Sequence, residues 1–283
     1  KGKFSATNPY FNNSDKSLFM SAEALEIDNY QTFGYKTNRT GISIGTDFEF
    51  LNDFYVGFNN SHFYEVIETN SSASSQQQAQ EGNYWDSFLK LDMNYDKRNQ
   101  KFQTSDGFQS FYSIDLPLIS DTNTLKNYFN YSHYFNFFQK NFSSISIYLE
   151  SANSLNNKDI KLSERINIPS SRLRGFEAGR VGPKDGDDFV GGNYAYSINF
   201  VSNIPQVFEE SQNVDFLIFA DAADIWGVDY NSSIEGDGIR SSVGLALDWM
   251  SPIGPMNFTL AHPITKKTGD KTETFRFNLG TTF

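Results

Sequence analysis

Few residues of this sequence have the types and spacings that enzyme chemistry requires. The three histidines, His62, His133 and His262, are scattered along the chain and lack metal-ligand spacing, so no zinc site is expected. The acidic run at 184–188 lacks the further spaced ligands of a calcium loop. Since no glycine-rich phosphate loop or nucleophile elbow occurs, we predict that the protein is not an enzyme. We expect no catalytic residue, no cofactor and no metal.

The most distinctive chemical group lies in a long stretch without strand pattern, at about 155–192. This stretch contains the run Arg172-Leu173-Arg174-Gly175-Phe176. A guanidinium can form a bidentate pair with a carboxylate, which fixes both position and orientation. Loops of this length are uncommon and are often functional. The elements around the loop must therefore supply whatever partner Arg174 has.

Composition indicates what those elements are. Aromatic residues make up 16% of the 283 residues, yet mean hydropathy is −0.50. No stretch approaches the roughly 20 apolar residues that a spanning helix needs. A chain that is rich in aromatic residues but polar on average is typical of a transmembrane barrel, whose strands alternate lipid-facing apolar and lumen-facing polar residues.

Nearly every segment of the chain alternates with the period of a β-strand. At the C-terminus, Phe275, Phe277 and Phe283 share one face, whereas Arg276 and Asn278 share the other. A soluble β-sandwich also buries one face of each strand. Strand lengths of about 9–12 residues, and aromatic residues near strand ends, favour a membrane barrel instead.

The predicted fold is therefore all-β: a transmembrane antiparallel up-and-down β-barrel that forms one domain over residues 1–283. About thirteen strands are predicted, near 1–8, 17–28, 36–50, 54–68, 84–96, 107–118, 125–139, 143–154, 190–202, 213–224, 239–250, 255–262 and 272–283. The formal net charge of −11 argues against nucleic acid as a partner, because neutralising phosphates requires Lys and Arg.

Four stretches in order resemble BamA-type outer-membrane assembly factors of the bacterial surface antigen family. Arg174-Gly175-Phe176, followed by Gly182-Pro183 and Gly191-Gly192-Asn193, resembles the sixth extracellular loop of these barrels. The stretches 6–11, 246–255 and 269–280 resemble turns and strands elsewhere in the family. The resemblance covers the whole chain. It implies sixteen strands, of which three would precede Lys1, with POTRA domains before them.

The resemblance also implies a site. In the family, this loop folds back into the lumen, and its tip braces the inner wall; Arg174, Gly175 and Phe176 are called the clamp motif below. Asp221 is in phase with the lumen-facing residues of its strand and aligns with the acidic partner of the loop arginine. The second acidic partner of the family aligns with Asn199. This difference implies that Arg174 has one charged and one neutral partner, and hence a weaker clamp.

The last strand, 272–283, is expected to be the seam strand. Barrels of this family close poorly between first and last strands, so an incoming strand can add to the open edge by β-augmentation. Gly280 is expected to mark a kink near the end of this strand. The predicted seam residues are Phe275, Phe277, Gly280 and Phe283.

The function implied by the resemblance is the assembly and insertion of β-barrel proteins into the bacterial outer membrane. The implied partners are nascent outer-membrane β-barrel proteins, the lipid bilayer with its lipopolysaccharide, and accessory assembly lipoproteins that bind mainly through POTRA domains. Two alternatives stay open at this point. One is a related transporter, either TamA-like or of the two-partner secretion type; the other is a passive porin-like channel, which a long inward loop also fits.

Overall fold

The computed structural model describes residues 2–205, 213–234, 236 and 238–280. One antiparallel sheet of 13 strands contains nearly all of the regular structure within these ranges. Two further strands, β9 and β10, form a small hairpin outside that sheet. The strands are β1 (Gly2–Asn8), β2 (Leu18–Asn29), β3 (Tyr35–Leu51), β4 (Phe54–Thr69), β5 (Gly82–Asp96), β6 (Gly107–Pro117), β7 (Thr124–Phe135), β8 (Ser143–Ser154), β9 (Lys184–Asp185), β10 (Asp188–Phe189), β11 (Tyr194–Asn203), β12 (Val214–Trp226), β13 (Arg240–Ser251), β14 (Gly254–Thr265) and β15 (Phe275–Leu279).

Each strand of the sheet pairs with its neighbour in sequence, which is the up-and-down order predicted above. The order of paired strands begins at β1 and ends at β15, and β8 pairs with β11 because β9 and β10 belong to the connection between them. The predicted all-β fold and the count of thirteen strands are thus confirmed for the described part of the chain. Two one-turn helices, α1 (Tyr30–Phe33) and α2 (Ser75–Gln78), follow β2 and β4. None of the helices in the described ranges is long and apolar enough to cross a membrane.

The sheet curls around the connection between β8 and β11, residues 155–193, which we call the lumenal loop. Side chains of this loop contact β4 and β5 on one side and β12 on the other. At one end, Gln103 in the turn after β5 donates to both carboxylate oxygens of Asp215 on β12, at 3.0 and 2.9 Å. Strands far apart in the sheet order are therefore joined across the interior, as in a barrel.

The two faces of the wall have opposite surroundings. The outward face is apolar and exposed, for example at Ile42, Val243 and Leu245, which are 60%, 42% and 42% exposed. The inward face is polar and buried, for example at Asn199 and Ser242. This distribution is the opposite of that in a soluble protein, in which large apolar surfaces are buried rather than exposed.

The main hydrophobic core lies between the lumenal loop and the inner wall, not between sheets. The loop supplies six of its members and the wall strands five. The loop members are Ile160, Ile166, Ile168, Leu173, Phe176 and Val181; the wall members are Tyr148, Ala152, Ala195, Ala223 and Ile225.

Several predicted strand ends were wrong. The strand predicted as 255–262 extends to Thr265, and in three other cases a local partner replaces the wall. The strand predicted from 190 begins at Tyr194, since Gly192 pairs with Ile166 of the lumenal loop. The strand predicted to reach 139 ends at Phe135, and the following turn is held by Asn141. The strand predicted from 272 begins at Phe275, because Thr272 pairs with Phe176 of the loop.

Candidate functional site in the barrel lumen

Arg174 is held against the inner wall by a single carboxylate, that of Asp221 on β12. The backbone N–H and Nε of Arg174 donate to Oδ2 at 3.0 and 2.8 Å, and Nη2 donates to Oδ1 at 2.7 Å. The Asp221 side chain is fully buried and that of Arg174 is 16% exposed. Two parallel bonds from a guanidinium to one carboxylate fix its orientation as well as its position.

Two further contacts hold Arg174 in place. Its guanidinium carbon lies 3.6 Å from the centre of the Phe219 ring, a cation–π geometry. Its carbonyl oxygen accepts a hydrogen bond from the Ser242 hydroxyl. Phe219 and Asp221 are two residues apart on β12 and thus share its inward face, while Ser242 lies opposite Asp221 on β13. The strand period therefore places all three partners around one point.

Asn199 lies beside this pair but does not bind the guanidinium. It faces Asp221 across the β11–β12 ladder, and its amide donates to Asp221 Oδ1 at 2.8 Å and to the carbonyl of Arg172 at 2.7 Å. Its own oxygen accepts from Ser197. The neutral second partner expected for Arg174 is thus a partner of the carboxylate and of the loop backbone instead. The physical reason is that an amide nitrogen, unlike a carboxylate, can donate to Asp221.

Gly175 and Phe176 pack closely against the inner wall beside Arg174. Gly175 has φ of +91°, and a Cβ there would lie 3.1 Å from the Cβ of Ala261 and 3.4 Å from that of Ser242. Phe176 is 2% exposed and belongs to the core between loop and wall. The structure thus brings the clamp motif, Asp221 and Asn199 into one cluster.

A second cluster, which the sequence did not reveal, holds the first part of the loop to the opposite wall. Lys161 is 3% exposed and forms ion pairs with Glu65 on β4, at 2.8 Å, and with Asp86 on β5. Glu164 lies 4.0 Å from it and accepts a hydrogen bond of 2.6 Å from Thr124. We call Lys161, Glu65, Asp86 and Glu164 the lysine cluster.

Burial and charge act against each other within the lysine cluster. Burial lowers the pKa of Lys161, but the carboxylates of Glu164, Glu65 and Asp86 more than reverse this effect, so that its pKa lies above the usual value. Burial raises the pKa of Glu164, and the neighbouring ammonium only partly offsets the rise. The cluster carries three carboxylates and one ammonium, so Lys161 is the group that makes its burial tolerable.

Other buried arginines on or near the loop were also missed. Arg165 pairs with Asp229 and donates to Asn193 at 3.0 Å. Arg240 on β13 is 1% exposed and forms ion pairs of 3.0 Å with Asp224 and Asp270. Arg240 could have been found, since it is in phase with Ser242 on the polar face of its strand.

Two of the four predicted seam residues occupy the last described strand. Phe275 and Phe277 point outward, 53% and 44% exposed, and pair across the ladder with Leu260 and Phe258. Gly280 follows the strand with φ of +77°, and its N–H donates to the carbonyl of Pro255 at 2.8 Å. Phe283 lies outside the described residues.

Known proteins resemble this chain in sequence and in fold. A profile of the Omp85 superfamily domain matches residues 1–283. The outer membrane protein assembly factor BamA of Neisseria meningitidis serogroup B is 34% identical over 140 residues, which cover 39% of this chain and 17% of that protein. A SAM50-like protein of Schizosaccharomyces pombe is 31% identical over 134 residues, 44% of this chain and 28% of that protein.

Solved structures share the fold. The crystal structure of BamA from Haemophilus ducreyi lacking POTRA domains 1–3 superposes with a TM-score of 0.87 at 23% identity, covering 97% of this chain and 60% of that one. CdiB from Acinetobacter baumannii superposes with a TM-score of 0.57 at 12% identity, covering 93% and 46%. This chain therefore spans less than a third of the curated relatives described above. The match of the superfamily profile to its full length shows that the chain belongs to the Omp85 superfamily.

Proposed function

We propose that this chain is the barrel part of an outer-membrane protein assembly factor, which inserts client β-barrels into the bacterial outer membrane. The observation that carries the proposal is the docked clamp motif, in which Arg174 is fixed by Asp221 inside a barrel of this superfamily. The bacterial relative described above, from Neisseria meningitidis, is named as an outer membrane protein assembly factor. A long inward loop by itself fits a passive channel as well, but such a channel has no need of the ordered clamp motif.

The outward face of the wall supports a membrane location. Large apolar side chains are exposed on most strands of the sheet, including Ile147, Ile198 and Leu260. In water such a surface would be a strong aggregation liability, whereas lipid satisfies it. We place the chain in the outer membrane as a multi-pass barrel, in contact with lipid and with lipopolysaccharide in the outer leaflet.

The client is proposed to add at the edge of β15 that faces away from β14, where the described sheet ends. An end strand presents backbone donors and acceptors to an incoming strand, which gives affinity without demanding one client sequence. The partners are therefore nascent β-barrel proteins, with accessory lipoproteins acting through POTRA domains. The chain acts by presenting this edge rather than by catalysing a covalent reaction, and it requires no cofactor.

The test is client insertion into liposomes that contain the complete protein. We expect the wild type to accelerate folding of an unfolded client barrel, and Arg174→Ala to reduce that acceleration several-fold. The matched control is Arg39→Ala, which removes an arginine of the wall, on β3, that pairs with Glu23 at 2.8 Å. Resistance of each variant to detergent unfolding checks that the barrel itself has formed.

Solute flux without acceleration of client folding would refute the assembly function and favour a channel. Equal activity of Arg174→Ala and wild type would show that the clamp is not needed for insertion.

A further inference from the structure

The last strand and the residues just before it have two edges, of which one faces β14. The carbonyl of Thr274 accepts from the N–H of Ala261 at 2.9 Å, and the N–H of Gly280 donates to the carbonyl of Pro255 at 2.8 Å. Backbone groups of successive residues in a strand point to opposite sides. The even-numbered residues therefore face β14, and the odd-numbered residues of 271–279 face away from it. We call this second side the open edge.

The lumenal loop already occupies one end of the open edge. The carbonyl of Lys271 accepts from the N–H of Glu177, and the N–H of Lys271 donates to the carbonyl of Arg180, both at 3.0 Å. The N–H of Glu273 donates to the carbonyl of Gly175, also at 3.0 Å. Three of the four backbone groups that these two residues present on the open edge are therefore bonded to the loop.

Side chains hold the loop in this position from two directions. Arg276 on β15 points into the lumen, where Nη2 donates to the carbonyl of Phe176 at 2.7 Å and Nη1 donates to that of Ser170 at 3.1 Å. On the other side, the bidentate pair of Arg174 with Asp221 ties the clamp motif to β12. The segment 175–177 is thus fixed between β12 and the last strand.

The rest of the open edge is unoccupied within the described part of the chain. The backbone groups of Phe275, Phe277 and Leu279 point to this side, and no strand of the described sheet pairs with them. Each residue has a single N–H to donate. A strand added along the open edge can therefore bond Phe275 freely, but it can bond Glu273 only by displacing the loop.

We propose that the docked clamp motif caps the open edge, so that a client strand adds along Phe275–Leu279 and ends before Glu273. The cap sets how far the client extends towards the loop end of the barrel. Undocking of the loop frees Lys271 and Glu273 for further pairing. This inference rests on the proposed function, in which the client adds at this edge.

The cap is tested first without a client, by hydrogen exchange of the complete protein in liposomes. Asp221→Asn removes the carboxylate that holds Arg174. We expect exchange at the amides of Lys271 and Glu273 to accelerate by the same factor as at 172–176, about 30-fold, because one opening event exposes both segments.

Two further variants distinguish release of the cap from a general loss of structure. Arg276→Gln leaves Asp221 intact but removes the guanidinium that bonds two loop carbonyls. We expect it to accelerate exchange at Lys271 and Glu273 on the order of tenfold. The control Arg39→Gln removes an ion pair of the wall on β3 and should change these rates less than about twofold. Acceleration confined to the loop in Asp221→Asn would overturn the cap, because the loop would then leave without exposing the edge.

The boundary of client addition is measured by disulfide formation. Single cysteines replace Lys271 or Phe277 in the complete protein, and the chain brings no cysteine of its own. The probe is an unfolded client barrel with one cysteine moved position by position along its last strand. We expect Lys271→Cys to give about tenfold less disulfide than Phe277→Cys, because the cap has to open first. Adding Asp221→Asn should bring the yield at Lys271→Cys close to that at Phe277→Cys.

Equal yields at the two positions with Asp221 intact would overturn the cap. A yield at Lys271→Cys that stays low in Asp221→Asn, although the loop amides exchange fast, would also overturn it. Disulfides at neither position, with exchange of loop and edge still coupled, would refute the proposed function and with it the client boundary, while the contact between loop and strand would stand. The exchange data thus separate a failure of the cap from a failure of the proposed function.

Discussion

Replacing Lys161 by Met tests whether the lysine cluster holds the loop to the wall. Met keeps the length and the apolar stem but removes the ammonium. Glu65, Asp86 and Glu164 then remain as three carboxylates whose side chains are 7%, 5% and 6% exposed. Removing one partner of a buried ion pair typically costs about 3–5 kcal/mol, because the other charge stays buried and unpaired. Since protonation of a carboxyl relieves part of this cost, we expect a loss of about 3 kcal/mol at pH 8.

The pH dependence follows from the raised pKa of Glu164. When a carboxyl has a higher pKa in the docked loop than in the free loop, its protonated form favours docking. This contribution is fully present below the pKa of the free loop, and it is lost as pH rises through the pKa of the docked loop. Without Lys161 the pKa of Glu164 rises further. The defect of Lys161→Met is therefore largest at pH 8 and shrinks towards pH 5. In the wild type, the raised pKa of Lys161 keeps its contribution constant over this whole range.

Hydrogen exchange of the loop amides, in detergent or lipid, measures how much Lys161→Met lowers the free energy of local opening. A loss of 3 kcal/mol in local opening corresponds to roughly 150-fold faster exchange at residues 160–168 at pH 8. The matched control is Lys90→Met, which removes a lysine that is 40% exposed and pairs with Asp115 at 3.9 Å. We expect it to accelerate exchange less than fivefold, the range of an exposed ion pair. Exchange in Lys161→Met that matches wild type at pH 8, or a defect that grows towards pH 5, would refute the reasoning.

Three further substitutions test other parts of the interior. Gly175→Ala places a Cβ 3.1 Å from Ala261 at a positive φ and should destabilise the barrel by about 2 kcal/mol. The control Gly186→Ala meets no atom within 4 Å and should cost only the backbone strain of about 1 kcal/mol. Thermal unfolding midpoints of the two variants are compared. Asp221→Asn keeps the volume but leaves the Arg174 guanidinium without its carboxylate, so we expect amide exchange at 172–176 to accelerate by about 30-fold, or 2 kcal/mol. Arg240→Met isolates Asp224 and Asp270 and should lower stability by about 3 kcal/mol, measured by detergent-induced unfolding; a change below 1 kcal/mol would show that these carboxylates find other partners.

The wall of the barrel could be predicted from the sequence because most wall positions obey one local rule. Alternation of apolar and polar residues gave the strands around Asp221 and Ser242, and it also gave their inward direction. The same rule placed Arg276 on the polar face of its strand with Asn278, and it would have assigned Arg240 to the lumen had it been extended to the start of the strand that contains Ser242. The ends of the strands were harder to predict, because Gly192 and Thr272 pair with the loop rather than with the wall.

The interior of the site could be predicted only in part. The family resemblance predicted the pairing of Arg174 with Asp221. No local pattern predicts the pairing of Lys161 with Asp86, which lies 75 residues earlier in the chain. Nor does any pattern reveal that Asn199 serves the carboxylate instead of the guanidinium, since this depends on the direction of one amide. Such contacts arise from the way in which the loop crosses the lumen, which the period of the strands does not encode.

The path of the lumenal loop also has a consequence for the order of folding. Neighbouring wall strands pair through short connections, whereas the loop contacts are remote in sequence: Ser163 to Glu65 spans 98 residues, and Ser170 to Arg276 spans 106. Contacts of large sequence separation form slowly, because chain entropy is lost before they add stability. We expect the hairpins to form first and the loop to enter a wall that is already assembled. Substitutions at Lys161 or Arg276 should then accelerate unfolding while leaving the rate of folding nearly unchanged.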